Sequence, residues 1–371
     1  MRKADLYLIL TSTLLILSFG ISFFVLPKDT FSEAENRALT AWVSPTVHEL
    51  LDGRAITRLS SYYSDHVPLR SNLTSLKAQT ERLLGKRENN GVFFGRNGYL
   101  IPRDEYDDLS VGMENLAALS ILSDAFSVPC TVLIAPRAMD VMNHCLPDFY
   151  SPDSQIFDFL NEGDLPLIFP LDTLREAAEN GESVWYRTDH HWTTLGAYLA
   201  YAEIAPSLGI TPYPLSYFRQ ETVSESFLGT SHAKIGGIDI KPDSVTLFRY
   251  EGDEDFTVIN GETGEIRRGF YQWNALEKKD QYRVFLGGNT GRLSIFSSVG
   301  QDRPRLLLIK DSFANSLVPF LALHFDLELV DPRYDRTGFS YFPENKTFDK
   351  IFVIQGLDTL LTDRSLSRWT H

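Results

Sequence analysis

Two short segments of the sequence carry residue types that could act together in acyl transfer. In the run from Asp189 to Trp192, a carboxylate lies two residues before the imidazole of His191. Such a carboxylate can accept the Nδ1–H of the imidazole, which leaves Nε2 free as a general base. The second segment holds Ser312, which closely follows the apolar run from Leu306 to Ile309. The pair predicts acyl transfer with Ser312 as the nucleophile.

Helix capping is a second interpretation of the serine segment. A helix is predicted from Phe313 to Leu323, and Asp311 or Ser312 would suit its N-cap, because short polar side chains accept hydrogen bonds from the first free N–H groups. The same helix N-terminus would offer N–H groups to an oxyanion, so both roles fit this turn.

The histidine segment also has alternatives. His190 and His191 could belong to a polar loop in which Trp192 anchors the core. Together with Asp189 they could instead ligate a metal, but no HExxH pattern or further acidic ligand motif accompanies them. A metal site is therefore the less favoured functional interpretation, and we expect no metal and no cofactor.

Alternating strand and helix patterns predict the elements that would position these residues. Near-continuous apolar runs are typical of buried parallel strands, and the longer segments between them have helical spacing. The predicted strands are 130–135, 305–309, 327–330 and 351–354, and the predicted helices are 112–126, 171–180, 195–208, 313–323 and 357–361. This alternation indicates a parallel sheet with helices on both faces. Ligands of such sheets collect outside the carboxyl ends of the strands, where Ser312 would lie.

The N-terminal segment predicts a membrane anchor. Leu6 to Leu26 contains no charged residue and at about 1.5 Å per helical residue could cross a hydrocarbon layer of roughly 30 Å. Arg2 and Lys3 precede it, which favours a short cytoplasmic tail and places the rest of the chain outside the plasma membrane. A cleaved signal peptide is the rival interpretation, although the nearest small-x-small site, at residues 32–34, lies far downstream.

The remaining patterns predict the domain organisation. We expect an anchor at 1–27, a helical linker or cap at 28–90, and an α/β domain at 91–371. Two helices are predicted between Val47 and Leu84, with a break near Pro68. A β-hairpin with an Asn-Gly turn is predicted at 91–101, and the Gly-rich, β-branched stretch at about 218–299 predicts an antiparallel insertion.

Composition limits the class of protein. The chain has 371 residues, of which 43% are hydrophobic and 23% charged, and its formal net charge is −14. This composition is that of a folded globular protein. The acidic balance, without a basic run, argues against nucleic acid as a ligand. Cys130 and Cys145 are the two cysteines, and either a disulfide or two unpaired thiols would suit an exported chain.

The histidine segment resembles a known family. Thr188 to Ala197 is similar to the Thr-Asp-x-His-Trp-Thr-x-x-Gly-Ala motif of the alginate O-acetyltransferase proteins of the SGNH hydrolase superfamily, and more closely to the DHHW proteins of Gram-positive bacteria. Further blocks of that family occur in the same order, over roughly residues 32–356: Glu35-Asn36-Arg37, Asp65-His66-Val67-Pro68-Leu69-Arg70, Gly95-Arg96-Asn97-Gly98-Tyr99-Leu100, Phe227-Leu228-Gly229-Thr230 and Ile309-Lys310-Asp311-Ser312-Phe313.

The resemblance implies a Ser-His-Asp triad of Ser312, His191 and Asp189. His190 occupies the variable position of the motif and receives no chemical role. The implied fold is an SGNH hydrolase-like, flavodoxin-like α/β sheet with a permuted block order, because the acid and base precede the nucleophile in the chain. Triad geometry does not depend on chain order.

This chain departs from the family at Lys310, where the alginate proteins usually have glycine before the nucleophile block. The oxyanion hole is also less defined by sequence than the triad. Gly288 and Asn289 are candidate donors of the kind SGNH enzymes use, although a simple turn explains them as well. Arg333 and Tyr334, which follow another strand, are further candidates for contact with substrate.

The activity implied by the resemblance is O-acetyl transfer to a cell-envelope or secreted polysaccharide. An integral membrane protein would supply the acyl group, because an extracytoplasmic enzyme cannot draw directly on cytosolic acetyl-CoA. The net charge mildly favours a neutral glycan as the acceptor. Two alternatives remain: a carbohydrate acetylesterase with the same triad, and a non-catalytic envelope protein that binds glycan or an assembly partner.

Overall fold

The computed structural model of the protein describes residues 3–32, 37–106, 108–126, 128–152, 155–161, 166–298, 302–342 and 347–370. Glu35 and Asn36 of one family block, residues 33 and 34 of the small-x-small site, residue 299 at the end of the predicted insertion, and the chain termini at residues 1, 2 and 371 lie outside these ranges. The chain divides into two compact units. The first comprises Met1–Lys86 and His232–Asp239, and the second comprises Arg87–Ser231 and Ile240–His371.

The helices of the described residues, in chain order, are α1 (Lys3–Val25), α2 (Val47–Leu51), α3 (Arg54–Asp65), α4 (Arg70–Leu83), α5 (Ser110–Ala125), α6 (Ala138–Val141), α7 (Gln155–Asn161), α8 (Leu171–Glu179), α9 (Thr194–Ile204), α10 (Thr230–Lys234), α11 (Val318–Leu321), α12 (Leu357–Thr362) and α13 (Ser365–Thr370). Short 3-10 helices lie at Arg96–Gly98, Asn143–Cys145, Leu215–Tyr217, Trp273–Glu277, Gln281–Val284 and Ser312–Ser316.

The strands of the described residues are β1 (Phe31–Ser32), β2 (Arg37–Ala38), β3 (Glu88–Asn89), β4 (Val92–Phe94), β5 (Leu100–Pro102), β6 (Cys130–Ala135), β7 (Leu167–Ile168), β8 (Arg219–Phe227), β9 (Asp243–Arg249), β10 (Thr257–Asn260), β11 (Ile266–Arg268), β12 (Arg292–Phe296), β13 (Arg305–Lys310), β14 (Asp326–Val330) and β15 (Lys350–Gly356).

The first unit is mainly helical. Helix α1 carries the predicted anchor and is long and apolar enough to cross a membrane, a property that signal sequences share. Three helices, α2 to α4, lie where two were predicted from the sequence. The additional break is at Gly53, whose φ of 80° separates α2 from α3. Two of the family blocks meet here, since the Arg37 guanidinium binds the Asp65 carboxylate at 2.5 and 3.2 Å.

The second unit is built on an eight-stranded sheet with the order β11-β10-β12-β14-β13-β15-β6-β7. The strands from β14 to β7 pair in parallel, whereas β11, β10 and β12 join one edge as antiparallel strands. The predicted α/β class with a parallel sheet is therefore confirmed. In the region predicted as an insertion, only β8 and β9 form a separate antiparallel ribbon, since β10 to β12 continue the main sheet.

The parallel strands follow a permuted flavodoxin-like order. To compare the orders, the five parallel strands are renumbered from β13: β13 is strand 1, β14 strand 2, β15 strand 3, β6 strand 4 and β7 strand 5. Read across the sheet from β14 to β7, this numbering gives 2-1-3-4-5, the doubly wound order in which ligands bind beside the first and third strands. The turn after β13, which carries Ser312, therefore lies at the topological switch point.

Alternate residues of the central strands pack into two core layers. Leu306 and Leu308 of β13 belong to the layer that includes α8 and α9, and Leu307 and Ile309 belong to the layer that includes α5, α12 and α13. The period of two follows from the pleat, which turns successive side chains to opposite faces. Burial of both faces explains the unbroken apolar sequence of β13.

The helix after the nucleophile candidate differs from the sequence prediction. Instead of one helix from Phe313 to Leu323, a 3-10 helix from Ser312 to Ser316 precedes the short α11. Pro319 lies in the first turn of α11. Proline has no N–H to donate, which is tolerated in a first turn but would interrupt one continuous helix from Phe313 to Leu323.

Cys130 and Cys145 are free thiols and do not form the disulfide that the sequence left open. Burial raises the pKa of the Cys130 thiol to about 11 and also raises that of Cys145. Neither thiol is therefore activated as a nucleophile.

Candidate active site

Ser312 follows the carboxyl end of β13 in a turn held by Asp311. The Asp311 Oδ1 atom accepts a hydrogen bond from the N–H of Phe313 at 2.9 Å, and Oδ2 accepts one from Gly356 at 2.7 Å. Asp311 thus takes the capping role that the sequence allowed and also ties the turn to the end of β15. Ser312 itself remains partly exposed between buried neighbours, as a nucleophile that meets a substrate must be.

The histidine segment forms a closed loop between α8 and α9. Trp185 and Trp192 form a β-bridge, and Tyr186 donates its N–H to the His191 carbonyl at 3.2 Å. Thr193 then caps α9 through a hydrogen bond from the Gly196 N–H to its hydroxyl. The residues from 186 to 191 are therefore held at both ends, which fixes the direction of their side chains.

The three predicted triad residues lie in one hydrogen-bonded series. Asp189 Oδ1 is 2.6 Å from His191 Nδ1, and His191 Nε2 is 2.8 Å from Ser312 Oγ. Because the ionised carboxylate can only accept, Nδ1 carries the proton and Nε2 is left to accept the proton of Ser312. Asp189 Oδ1 also accepts the His191 backbone N–H at 3.0 Å, which fixes the carboxylate relative to the ring.

The second carboxylate oxygen is bound by Thr230, a residue to which the sequence interpretation gave no role. Asp189 Oδ2 accepts hydrogen bonds from the Thr230 N–H at 2.8 Å and from its hydroxyl at 3.0 Å. The hydroxyl in turn lies 2.6 Å from His190 Nδ1. Gly229 passes so close to Asp189 that an added Cβ would overlap its carboxylate. The family block containing Gly229 and Thr230 was the available sequence signal.

Aromatic rings hold the imidazole plane. Tyr282 stacks on His191 with centroids 4.0 Å apart and planes inclined by 8°, and Phe313 meets the imidazole edge-on at 5.2 Å. The Tyr282 hydroxyl donates to the Ser312 carbonyl at 3.1 Å. Trp192 Nε1 donates to the Phe313 carbonyl at 3.1 Å, so Trp192 joins the two loops as well as filling the core. No motif in the sequence singled out Tyr282.

The electrostatics of the site favour an ionised acid and a neutral base. Burial by itself would raise the pKa of Asp189, but the adjacent imidazoles and the hydrogen bonds from His191 and Thr230 hold this pKa well below its ordinary range. Burial lowers the pKa of His191 to about 4, with a further lowering from His190 and an opposing contribution from Asp189. His191 is therefore neutral and able to accept a proton at pH 7.

This pKa predicts the pH dependence of turnover. Protonated His191 cannot accept the Ser312 proton, so kcat/KM for an acetyl ester should rise as the pH increases through about 4 and then stay level through neutral pH. The measurement is a pH profile of the full-length protein in detergent, with hydrolysis by buffer subtracted. An acid limb centred at or above 6.5, the pKa of an unperturbed histidine, would contradict the assignment.

Lys310, the departure from the family pattern, is buried beside the nucleophile turn. Its Nζ donates to Asn315 Oδ1 at 2.7 Å and to Asn289 Oδ1 at 3.3 Å, and it lies 4.0 Å from Asp331 Oδ2. Burial lowers the pKa of Lys310 to about 8, although Asp331 opposes the shift. Because an ammonium group can only donate, it requires both amides to present their oxygens.

Of the oxyanion candidates, Asn289 is the one linked to the nucleophile turn. Its Oδ1 accepts Asn315 Nδ2 at 3.1 Å as well as Lys310, and Asn315 belongs to the 3-10 helix that begins at Ser312. Gly288 precedes it at φ 99°, a backbone conformation that favours glycine. The Gly288 and Asn289 segment is thus connected to the nucleophile turn through the side chains of Lys310 and Asn315.

Arg333 and Tyr334 lie apart from the triad hydrogen bonds. Arg333 forms a bidentate pair with buried Asp331 at 2.8 and 2.9 Å, and its guanidinium lies 5.5 Å from the Tyr334 ring centroid. The Arg333 charge acts on buried Asp311, whose pKa is raised by burial and lowered in part by Arg333. Among the described contacts, Arg333 therefore influences the nucleophile turn through charge.

Asp189, His190 and His191 are also close enough together to be considered as metal ligands. Ligand atoms of Asp189, His190 and His191 lie within 4.8 Å of one another, close enough to surround an ion. His191 Nδ1, however, is hydrogen-bonded to Asp189 Oδ1, and its Nε2 is directed to Ser312. These contacts use the histidine as a relay between acid and hydroxyl, which favours acyl chemistry over ion binding.

Comparison with known proteins agrees with the family resemblance. Residues 171–330 match the family model described as DHHW protein, a segment that contains all three triad candidates. No curated protein sequence matches the chain significantly.

Solved structures are similar to this chain at low sequence identity. A DHHW family protein from Eubacterium siraeum is 20% identical, with a TM-score of 0.59 over 76% of this chain and 95% of the other. Bacillus cereus PatB1 with a sulfonyl adduct is 17% identical, with a TM-score of 0.62 over 76% and 100% of the two chains. The O-acetyltransferase domain of Pseudomonas putida AlgJ is 15% identical, with a TM-score of 0.47 over 75% and 95%.

Proposed function

We propose that this chain, whose residues 171–330 carry the DHHW family pattern, is an extracytoplasmic O-acyltransferase that moves an acetyl group to a glycan hydroxyl. The observation that carries the proposal is the series Asp189, His191 and Ser312, joined at 2.6 and 2.8 Å. A packed polar loop would not require a neutral imidazole between a buried carboxylate and a partly exposed hydroxyl. This arrangement is the one that nucleophilic acyl transfer uses.

In the first half-reaction, Ser312 Oγ attacks the carbonyl carbon of an acetyl ester while His191 Nε2 takes the hydroxyl proton. The tetrahedral intermediate collapses as the bond from the acetyl carbon to the donor oxygen breaks, and His191 returns the proton to that oxygen. An acetyl-Ser312 ester remains. Asp189 stays ionised throughout and stabilises the imidazolium that forms at each proton transfer.

In the second half-reaction, an acceptor hydroxyl gives its proton to His191 and attacks the acetyl-Ser312 carbonyl carbon. Collapse of this intermediate breaks the bond to Ser312 Oγ, which recovers the proton from His191. The product is the acetylated acceptor, and the protein returns to its starting state. Water in place of the acceptor would give acetate.

Asn289 is the side chain that we assign to the oxyanion. Its Oδ1 is occupied by Lys310 and Asn315, which leaves the two N–H groups of Nδ2 to donate away from that contact. Preorganised amide donors of this kind stabilise the tetrahedral oxyanion, and removal of one typically costs about 10²–10³-fold in kcat.

The partners follow from topology and charge. If α1 anchors the chain with the second unit outside the cell, an integral membrane protein must deliver the acetyl group. A net charge of −14 makes a neutral glycan the better acceptor than a polyanion.

A sulfonyl fluoride should label Ser312 covalently. Attack by Ser312 Oγ on sulfur would expel fluoride and form a sulfonate ester, with His191 taking the hydroxyl proton. Phenylmethylsulfonyl fluoride is the probe, and peptide mass spectrometry of the full-length protein in detergent locates the adduct. Ser312→Ala should remove the label. Exposed Ser120, whose hydroxyl donates to the Leu116 carbonyl at 3.3 Å, is the matched control, and Ser120→Ala should retain labelling. A label that persists in Ser312→Ala would contradict the proposal.

Transfer and hydrolysis are separated by the same protein with 4-nitrophenyl acetate as donor and cellotetraose as acceptor. Acetylated tetrasaccharide, absent with Ser312→Ala, is the expected product. If acetate were formed at the same rate with and without the tetrasaccharide, and no acetylated sugar appeared, hydrolysis would replace transfer as the function.

A further inference from the structure

A small cavity lies at the antiparallel edge of the second unit, outside the triad. Its volume is about 320 Å³, and it is lined by Glu254, Asp255, Arg268, Gly269, Tyr271 and Trp273. An aromatic surface combined with a few planar polar groups is the usual composition of a small-ligand site. We propose that this cavity is a binding subsite for a neutral oligosaccharide, with Trp273 as its stacking platform.

Trp273 is exposed but held in one orientation. The residue is 44% exposed, and the Arg249 guanidinium lies 5.3 Å from its ring centroid and 5.2 Å from that of buried Tyr271. Arg249 is fixed in turn by ion pairs with Asp253 and Glu254. The ring is therefore oriented before any ligand arrives, which lowers the entropic cost of binding.

The polar groups beside the ring suit sugar hydroxyls. Arg268 and Asp255 form an exposed ion pair at 2.8 Å, and together they offer N–H donors and carboxylate acceptors in planar groups. Vicinal hydroxyls can both donate and accept, so they can pair with such groups. The electron-rich ring face complements the partly positive C–H face of a pyranose ring.

Charge selects a neutral ligand over an anionic one. The two carboxylates of the cavity wall, Glu254 and Asp255, are matched by Arg249 and Arg268 in ion pairs. No excess positive charge is present among the described lining residues, so a uronate chain would meet carboxylates without a compensating cation. A neutral glycan meets no such penalty.

The cavity is coupled to the catalytic base through one stretch of chain. Tyr271 forms a β-bridge with Phe285, and Gln272 donates its N–H to Val284 at 2.8 Å. The segment that ends at Phe285 also carries Tyr282, which stacks on His191. A long acceptor bound at Trp273 would thus be held beside the segment whose Tyr282 stacks on the base. This role in acceptor binding rests on the proposed acyl transfer, whereas binding itself does not.

The test measures binding without turnover. Full-length protein carrying Ser312→Ala is titrated in detergent by calorimetry with three probes: cellotetraose, the tetramer of N-acetylglucosamine, and an acidic tetramer of mannuronate. At least one neutral tetramer should bind, and more tightly than the acidic one. Trp273→Ala should then raise its Kd about tenfold, equivalent to ~1.4 kcal/mol. Trp273→Phe, which keeps a stacking ring, should restore most of the affinity.

Trp42→Ala is the matched control, because Trp42 is similarly exposed, at 54%, but belongs to the first unit. Its Kd should stay within about twofold of the parent, well under the tenfold change that 1.4 kcal/mol represents. The proposal is overturned if no neutral tetramer binds the parent, if the acidic tetramer binds best, or if Trp273→Ala leaves the Kd unchanged. Because Ser312 is absent from every sample, a failure of acyl transfer would appear in the labelling experiment and not in this one.

Discussion

Asp189→Asn should reduce kcat for acetyl transfer by about 10³–10⁴-fold while the fold is retained. Asp189 Oδ1 and Oδ2 accept hydrogen bonds from four N–H or O–H groups of His191 and Thr230. An asparagine amide must turn its NH₂ toward one of these two residues. If the NH₂ faces His191, Nδ1 becomes the acceptor and Nε2 carries the proton, so that His191 can no longer accept the proton of Ser312.

Asp140→Asn is the matched control for this prediction. Asp140 is as buried as Asp189 but pairs with Arg137 at 2.7 and 2.8 Å, and none of its hydrogen bonds among the described residues involves the triad. The Asp140→Asn variant should be less stable, which a lower thermal midpoint would show. Its kcat per folded molecule should fall much less than that of Asp189→Asn. A kcat for Asp189→Asn within tenfold of the parent would show that His191 does not depend on this carboxylate, and the triad assignment would fail.

Lys310→Met should have the second largest effect. We expect the free energy of unfolding to fall by about 3–5 kcal/mol, which is the range found when one partner of a buried ion pair is removed. The methionine would leave Asn315 Oδ1 and Asn289 Oδ1 with one donor fewer in a largely buried site. Asn289 would then lose the contact that sets its amide direction, so kcat should fall as well. Urea unfolding followed by tryptophan fluorescence measures the first effect.

Lys86→Met provides the comparison on the surface. Lys86 pairs with Glu81 at 2.9 Å, but its side chain is 46% exposed, and such exposed pairs contribute little to stability. If both lysine variants lost the same small amount of stability, Lys310 would not be the centre of a buried network. A second check is the Asn315→Leu background, where Lys310→Met should cost much less, because the two side chains share one interaction.

The sequence predicted the sheet and the pairing of distant segments because both depend on local patterns. The apolar runs at 130–135, 305–309 and 351–354 can be satisfied only by burial on two faces, and the structure places them at the centre of the parallel part of the sheet as β6, β13 and β15. The pairing of Ser312 with His191 was predicted from the residue types of the two segments and from the family resemblance, and the loop between α8 and α9 contacts the turn that follows β13.

Other features depend on tertiary contacts that no local pattern records. The stacking of Tyr282 on His191 and the Thr230 contacts to Asp189 join segments far apart in the chain. The burial of Lys310 was unexpected, because a lysine at the end of a strand is normally solvated. Strands β10 to β12 extend the main sheet rather than forming a separate one, since edge pairing with β14 is decided by the whole fold.

The permuted strand order also determines when this site can be assembled during protein synthesis. A nascent chain emerges with β6 and the His191 loop first, but the inner neighbour of β6 is β15, which pairs Ile351 with Cys130. Until the ribosome has delivered β15, β6 and β13 have no strand between them, and the turn of Asp311 lacks its anchor at Gly356. Such non-local pairing gives a high contact order and slow closure. Ser312 and His191 therefore come within hydrogen-bonding distance only late in folding, after β15 has joined the sheet.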